Sequence, residues 1–168
     1  MSASKHAARG LTLLELAVVL AVGALLVTLA VPSASDWIAR QRLRAVTQQL
    51  VADLGDARHE SARLAQPVHI TFRAGSTWCY AVATNAQADC EQPGAGVLKV
   101  VRSTDHPGVR LMHADTQSFD DRSGTAPAAA GRIDFASRRG DQLSVRLSRL
   151  GRPSLCTPSA SLPDVGPC

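Results

Sequence analysis

The sequence predicts an α+β chain in which one long N-terminal α-helix precedes a C-terminal antiparallel β-sheet packed on the helix's second half. Three observations carry this. Leu11–Val31 is an apolar run of 21 residues whose clearly polar members are Thr12, Glu15 and Thr28. Leu43, Val46, Leu50, Leu54 and Ala57 then recur at spacings of three and four, the period of one helix face. From Val68 the pattern changes to strict alternation, the period of a strand. At 168 residues the chain can build one modest core and excludes a large multidomain enzyme.

Ahead of the apolar run, residues 1–10 carry Lys5, His6 and Arg9 and no acid, as a short basic leader would. The run itself spans roughly 31 Å at 1.5 Å per helical residue, which matches a hydrocarbon core of about 30 Å. A cleaved secretory signal, with Ser33-Ala34-Ser35 as its cleavage site, is the alternative. Such signals have apolar regions of about 7–15 residues, shorter than this one. Pro32 removes a backbone donor, so the helix is expected to kink or break between Val31 and Ser33 and to resume behind a cap at Ser35 or Asp36. The continuation is amphipathic through about Leu64, with its charged residues largely off the apolar stripe, on a solvated face. Gln66-Pro67 ends it.

Val68, Ile70 and Phe72 alternate with His69, Thr71 and Arg73, Gly75-Ser76 turns, and Trp78–Ala83 returns, which makes a β-hairpin. Further strands are expected at Val97–Arg102, Val109–His113, Arg132–Ala136 and Gln142–Arg149, the last two joined by the turn Arg138-Arg139-Gly140-Asp141. Asp120–Gly131, with Pro127 and an alanine run, reads as a long exposed loop. The expected divisions are therefore a leader (1–10), a transmembrane and assembly helix (11–31), its amphipathic continuation (32–64) and a globular antiparallel β domain (65–168).

Glu15 is the residue that needs a reason. An ionised carboxylate inside an apolar spanning helix costs at least about 2.5 kcal/mol near the bilayer centre and is normally retained for a partner. Cleavage after Gly10 would put a new α-amino cation on Leu11, four residues from Glu15, and opposite charges at one membrane depth attract strongly between subunits. Gly10-Leu11-Thr12-Leu13-Leu14-Glu15-Leu16 resembles the type IV prepilin motif, with Leu11 where Phe is usual. The resemblance implies a prepilin peptidase that cuts after Gly10 and N-methylates Leu11. It also implies pairing of Glu15 with the N-terminal amine of a neighbouring subunit. Helix followed by antiparallel sheet is similar to the pilin architecture. The hairpins and the ending Leu150-Gly151-Arg152 resemble the GspH/FimT group of minor pilins and pseudopilins.

The implied location is the bacterial inner membrane, crossed once with a periplasmic globular domain, and then a pilus or pseudopilus filament. The implied partners are the peptidase and other pilin or pseudopilin subunits. The implied role is a FimT-like minor pilin of a type IV pilus, with a GspH-like pseudopilin of type II secretion as the alternative.

All four cysteines follow the apolar run, which suits an oxidising compartment. They allow three connectivities. Cys79 with Cys90 and Cys156 with Cys168 is the local choice, and the second closure resembles the disulfide-bounded C-terminal loop of many pilins. Zinc is the poorer reading, because no Cys-x-x-Cys or His pair at ligand spacing is present.

Catalytic motifs are absent: there is no Gly-x-Ser-x-Gly and no Walker sequence, and Gly94-Ala95-Gly96 lacks the third glycine of a dinucleotide loop. His59, His69, His106 and His113 are scattered. No cofactor or metal is expected, and the chain reads as a non-enzyme. The formal charge of +4 falls to +2 without the leader, so a nucleic-acid reading must rest on clustering. From Gly131 to Cys156 six arginines oppose Asp134 and Asp141, a net of +4. A bulge or strand end is expected to bring Arg149 and Arg152 near the Arg138-Arg139 turn or the sheet edge. FimT-like minor pilins are associated with DNA capture through a C-terminal Gly-Arg-x-Arg segment, which this chain matches at Gly151-Arg152 and departs from at Ser154. Arg138, Arg139, Arg149 and Arg152 are thus candidate contacts to double-stranded DNA, the alternative being a solubilising surface.

Overall fold

The computed structural model describes residues 12–126, 131–158, 162 and 164–168, the side chains at 27 and 29–33 excepted. The chain divides into two units, Met1–Trp37 and Ile38–Cys168. In the first, helix α1 (Leu13–Leu64) begins at Thr12, whose Oγ1 accepts the Glu15 amide at 3.2 Å while its carbonyl accepts the Leu16 amide at 3.1 Å. Pro32 does not end the helix, contrary to the expected break, and Ser35 and Asp36 lie inside α1 rather than capping a second start. One proline removes a single i→i−4 bond, here to the carbonyl of Thr28, and helical residues on both sides absorb that loss.

In the second unit the apolar stripe of α1 is buried: Leu43, Val46, Leu50, Leu54 and Ala57 are at most 1% exposed. Thr47 and Ser61 share that face, and each returns its hydroxyl to a carbonyl of its own helix, so neither leaves an unpaired group in the core. The helix stops at a left-handed residue, Ala65 (φ 50°), beyond which the Gln66 amide donates back to the Ser61 carbonyl at 3.3 Å. That closure normally belongs to glycine.

Eight strands follow: β1 (Val68–Arg73), β2 (Cys79–Ala83), β3 (Val97–Arg102), β4 (Val109–Ala114), β5 (Gln117–Phe119), β6 (Gly131–Ser137), β7 (Gln142–Leu147) and β8 (Pro153–Cys156). They form two antiparallel four-stranded sheets rather than the single one expected, ordered β3-β2-β1-β5 and β4-β6-β7-β8. A lone bridge between Gly75 and Leu111 joins them. β2 is buried along its whole length because both its faces are covered. Tyr80 and Val82 point to the main core, while Cys79 and Ala81 pack with Cys90, Val97 and Val100. In the main core Trp78 stands edge-on to Phe135 (ring centroids 5.3 Å) and donates its indole N–H to the Val109 carbonyl at 2.9 Å.

One charge lies inside the packing. Asp53 of α1 is 3% exposed, accepts the Tyr80 hydroxyl at 2.6 Å and is met by the Lys99 ammonium at 2.7 Å. Burial, and then this hydrogen bond, push the Tyr80 hydroxyl pKa well above its ordinary value. Cys79 is bonded to Cys90 and Cys156 to Cys168, with Cα–Cα separations of 5.9 and 4.9 Å.

Over its described part the segment after β5 is a loop, as expected, pinned at two points. Asp120 accepts the amides of Arg122 and Ser123, and Ala126 is buried. The alanine run at 128–130 lies outside the described residues.

Ala65→Gly should stabilise the chain by about 0.5–1 kcal/mol, since it removes the left-handed penalty and keeps the Ser61–Gln66 closure. A denaturant midpoint that falls instead would show that the Ala65 methyl contributes packing that outweighs its backbone strain.

Candidate functional site

The sequence points to two places: the start of α1 and the arginine-rich strands. At the first, Gly10 and Leu11 lie outside the described residues. Glu15 is an exposed side chain in the first turn of α1, where the helix dipole and free amides favour a negative charge. Its surroundings are apolar on every side: Leu13, Leu14, Leu16, Val18, Val19, Leu20, Val22, Leu25 and Leu26 are all 53–87% exposed. Among the described residues no helix is long and apolar enough to cross a membrane. The expected span Leu11–Val31 includes Leu11 and the side chains of Val27, Leu29, Ala30 and Val31, which fall outside that set. Such a surface can hold a carboxylate ready for a cation brought by another helix.

The arginines do not form one strip. Arg138 and Arg139 occupy the β6–β7 turn, and Arg149 and Arg152 the β7–β8 turn, so the six residues of β7, about 20 Å, separate them. Of the two expected placements it is the sheet edge and not the Arg138-Arg139 turn: the second pair sits where the chain enters β8, the edge strand. The turn is tight. Ser148 and Arg152 are joined backbone to backbone at 3.0 Å, and Gly151 (φ 71°) leaves no room for a side chain, because a Cβ there would stand 2.6 Å from the Gly124 carbonyl oxygen. Strand register supplies a residue the sequence pattern missed. Ser154, which stands in place of the second arginine of Gly-Arg-x-Arg, lies opposite Arg146, which in turn lies opposite Arg132. Arg132 is held by Asp134 at 3.0 Å, while Arg146 is exposed beside Ser154. Cross-strand pairing would have revealed this only with the position of β8 in hand.

At the other end, Arg40 of α1 reaches Asp141 at 3.5 Å, and Arg42 donates to the Pro107 carbonyl at 3.2 Å. The Arg138 side chain lies over Gly108, its Nε 3.3 Å from where a Cβ would stand. These three guanidiniums therefore share one neighbourhood.

The histidines remain apart: His59 is exposed on α1, His113 meets Asp115 at 3.1 Å, and burial lowers the pKa of His69 and of His106, the latter stacked on Trp78 and bonded to Gln49. Among the described residues no three metal-capable side chains come together. A cleft of about 310 Å³ between α1 and β3 is lined by Asp53, Asp56, Glu60, Arg63, Leu98 and Lys99 among others, and holds no Ser, Cys or His. Two of its acids are already paired, Asp53 with Lys99 and Glu60 with Arg63.

The family model described as type II transport protein GspH matches residues 46–151, and that of the prokaryotic N-terminal methylation motif matches residues 5–31. The chain belongs to the GspH family. Its architecture is similar to that of the type IV minor pilin FimU of Pseudomonas aeruginosa strain PAO1. The TM-score is 0.53 and the identity 17%, over 69% of this chain and 89% of that one, a likeness that shows the pilin fold. No curated protein matches the chain. As a GspH/FimT-like pilin-type chain with a methylation motif, it is a pilin- or pseudopilin-like subunit. The motif implies processing by prepilin peptidase and assembly with other subunits, and the family implies membrane-anchored assembly into a filament.

Gly151→Ala should destabilise the chain by about 2 kcal/mol or more, combining the left-handed backbone with the contact to the Gly124 carbonyl. Thermal unfolding checks this, and an unchanged midpoint would mean that the two turns do not meet so closely.

Proposed function

We propose that the chain is a FimT-like minor pilin of a type IV pilus, cut after Gly10, methylated at Leu11, held in the inner membrane by residues 11–31 and then drawn into the filament. Its globular unit faces the periplasm. One observation carries the reading: Glu15 lies within the methylation motif, amid exposed apolar side chains that leave its charge without a partner along its own helix. A carboxylate so placed lowers its free energy by meeting the α-amino group of an adjacent subunit, and the pairing sets the axial register of one helix against the next. The likeness to a type IV minor pilin supports this reading. A second reading, a GspH-like pseudopilin of type II secretion, is favoured by the description of the matching family. Deleting the chain in its host separates them, since loss of surface pili supports the first and loss of exported proteins from the medium the second.

The role is structural. A cleft whose Asp53 and Glu60 are already ion-paired with Lys99 and Arg63, and histidines held apart, support a subunit rather than an enzyme. Double-stranded DNA is the further partner we assign to the β7–β8 end, where Arg146, Arg149 and Arg152 are exposed around one rigid turn. Phosphates would be met by guanidiniums there without base-specific contacts.

In filaments assembled with the variants, Gly10→Ala should block processing, while Glu15→Ala should leave processing intact and sharply reduce incorporation. Mass spectrometry of the wild-type filament should find N-methyl-Leu11 as the first residue. Incorporation of Glu15→Ala at the wild-type level, or an intact Met1 in the filament, would overturn the assembly mechanism. For DNA, Arg146→Ala with Arg152→Ala should weaken duplex binding by the detergent-solubilised full chain and lower its salt slope by about 2, near 0.9 per phosphate contact. No retention of DNA by the wild-type chain at low salt would remove that partner and leave the subunit reading standing.

A further inference from the structure

Trp37 is the last residue of the first unit and belongs to the same helix as the apolar run. It is 64% exposed, whereas Trp78, the second tryptophan of the chain, has no exposed surface. An exposed indole is most stable where one side of it is apolar and its N–H stays wet. The sequence between Trp37 and Glu15 sets a scale. Residues 16–35 contain no Asp, Glu, Lys, Arg or His, and these twenty helical residues rise about 30 Å, the thickness of a hydrocarbon layer. Glu15 and Trp37 therefore stand about 33 Å apart along one helix and within one unit, just beyond the two faces of such a layer.

We infer that Trp37 is the interfacial anchor that sets the depth of the chain in the bilayer, centring the span on Leu26 and putting Glu15 at the opposite headgroup boundary. The inference rests on the membrane-anchored reading above. Two depths compete. With the run 11–31 centred, Ala21 is at the midplane, Glu15 lies about 9 Å from it inside the hydrocarbon, and Trp37 lies about 24 Å from it, some 9 Å beyond the hydrocarbon. With Leu26 centred, Glu15 and Trp37 each lie about 16–17 Å out, where a carboxylate keeps water and an indole is half buried. The second depth draws Ser33 and Ser35 inward, but a helical serine can return its hydroxyl to its own backbone, and a carboxylate has no such recourse. Lipid is the occupant because the exposed apolar side chains from Leu13 to Leu26 surround the helix that ends this unit at Trp37, and no single protein groove covers all sides of a helix. Before assembly Glu15 and the Leu11 amine made by cleavage both sit among headgroups and water, and they pair as the helix is drawn into the filament.

The experiment is tryptophan quenching of the full chain in phosphatidylcholine vesicles whose acyl chains are brominated either beside the headgroup or near the chain ends. Trp78, without exposed surface, supplies a constant background that the Trp37→Phe variant measures on its own. The Trp37 emission, wild type minus Trp37→Phe, should be quenched about twofold or more better by the shallow bromines than by the deep ones. In the Trp37→Phe background, Leu26→Trp should show the reverse preference and Leu13→Trp should again favour the shallow bromines. Trp37 emission untouched by either lipid, the result if Ala21 is at the midplane or if protein covers the indole, overturns the proposal. A deep preference at Trp37 or at Leu13→Trp overturns it as well. Resistance to alkaline extraction scores insertion separately. A chain that resists extraction with Trp37 unquenched loses the depth assignment and keeps its anchor, whereas a chain that is extracted loses both.

Discussion

Water does not tolerate the first quarter of α1, and most of what is proposed for this chain follows from that. Nine large apolar side chains between Leu13 and Leu26 are more than half exposed on the isolated chain. At about 1.5–3 kcal/mol for each leucine or valine moved out of water, covering them is worth on the order of 10 kcal/mol, comparable to the whole stability of a typical domain. They surround the helix instead of forming a stripe, so no single sheet of the chain could cover them. Lipid can cover all sides at once, and neighbouring helices in a filament can do the same. Neither accommodates an unpaired charge, so in the assembly proposed above Glu15 is what makes an otherwise greasy, register-free contact specific.

The second unit solves the opposite problem. Its part of α1 has one apolar stripe, and two sheets supply the surface that covers it. A stripe of leucines and valines specifies a face but hardly an axial position, because sliding by one helical turn exchanges similar side chains. Asp53 removes that freedom. A carboxylate 3% exposed must find both the Tyr80 hydroxyl and the Lys99 ammonium, and only one placement of helix against the first sheet provides them. Burying a carboxylate is costly and the partner lysine is half exposed, so the pair contributes more to register than to net stability.

Much of this was legible from residue order. The apolar run, the stripe from Leu43 to Ala57 and the alternation in β1 through β4, β6 and β7 each repeat often enough to show their period. Two strands did not. β5 has three residues, too few for alternation to register, and β8 opens with Pro153, which reads as a breaker until it is seen to stand on an edge strand where the missing N–H is not needed. Without those two, the strands could not be sorted into two sheets, because β5 completes one and β8 the other. Pro32 misled for a related reason, since the rule against proline in helices weighs one lost bond and local crowding and not the helical residues on both sides. Ala65 carried no signal at all: nothing in its identity announces a left-handed backbone, and only the Gln66–Ser61 bond reveals it.

The arginines show why charge clustering along a chain is a poor map of charge in space. Hairpins fold sequence neighbours apart and distant residues together: Arg132 and Arg138, six apart, go to opposite ends of β6, while Arg132, Arg146 and Ser154, spread over 23 residues, lie side by side. Strands about 20 Å long place the two basic ends roughly two screening lengths apart, so each sees little of the other's charge. The two ends are therefore electrostatically independent. Either basic end could be lost by substitution without touching the core that holds them both. What couples them is only the rigidity of β6 and β7, whose inward residues Ile133, Phe135, Leu143 and Val145 are fully buried. With the strands pinned from inside, a load applied at one turn is borne by the sheet as a whole, and the basic residues at either end keep their spacing.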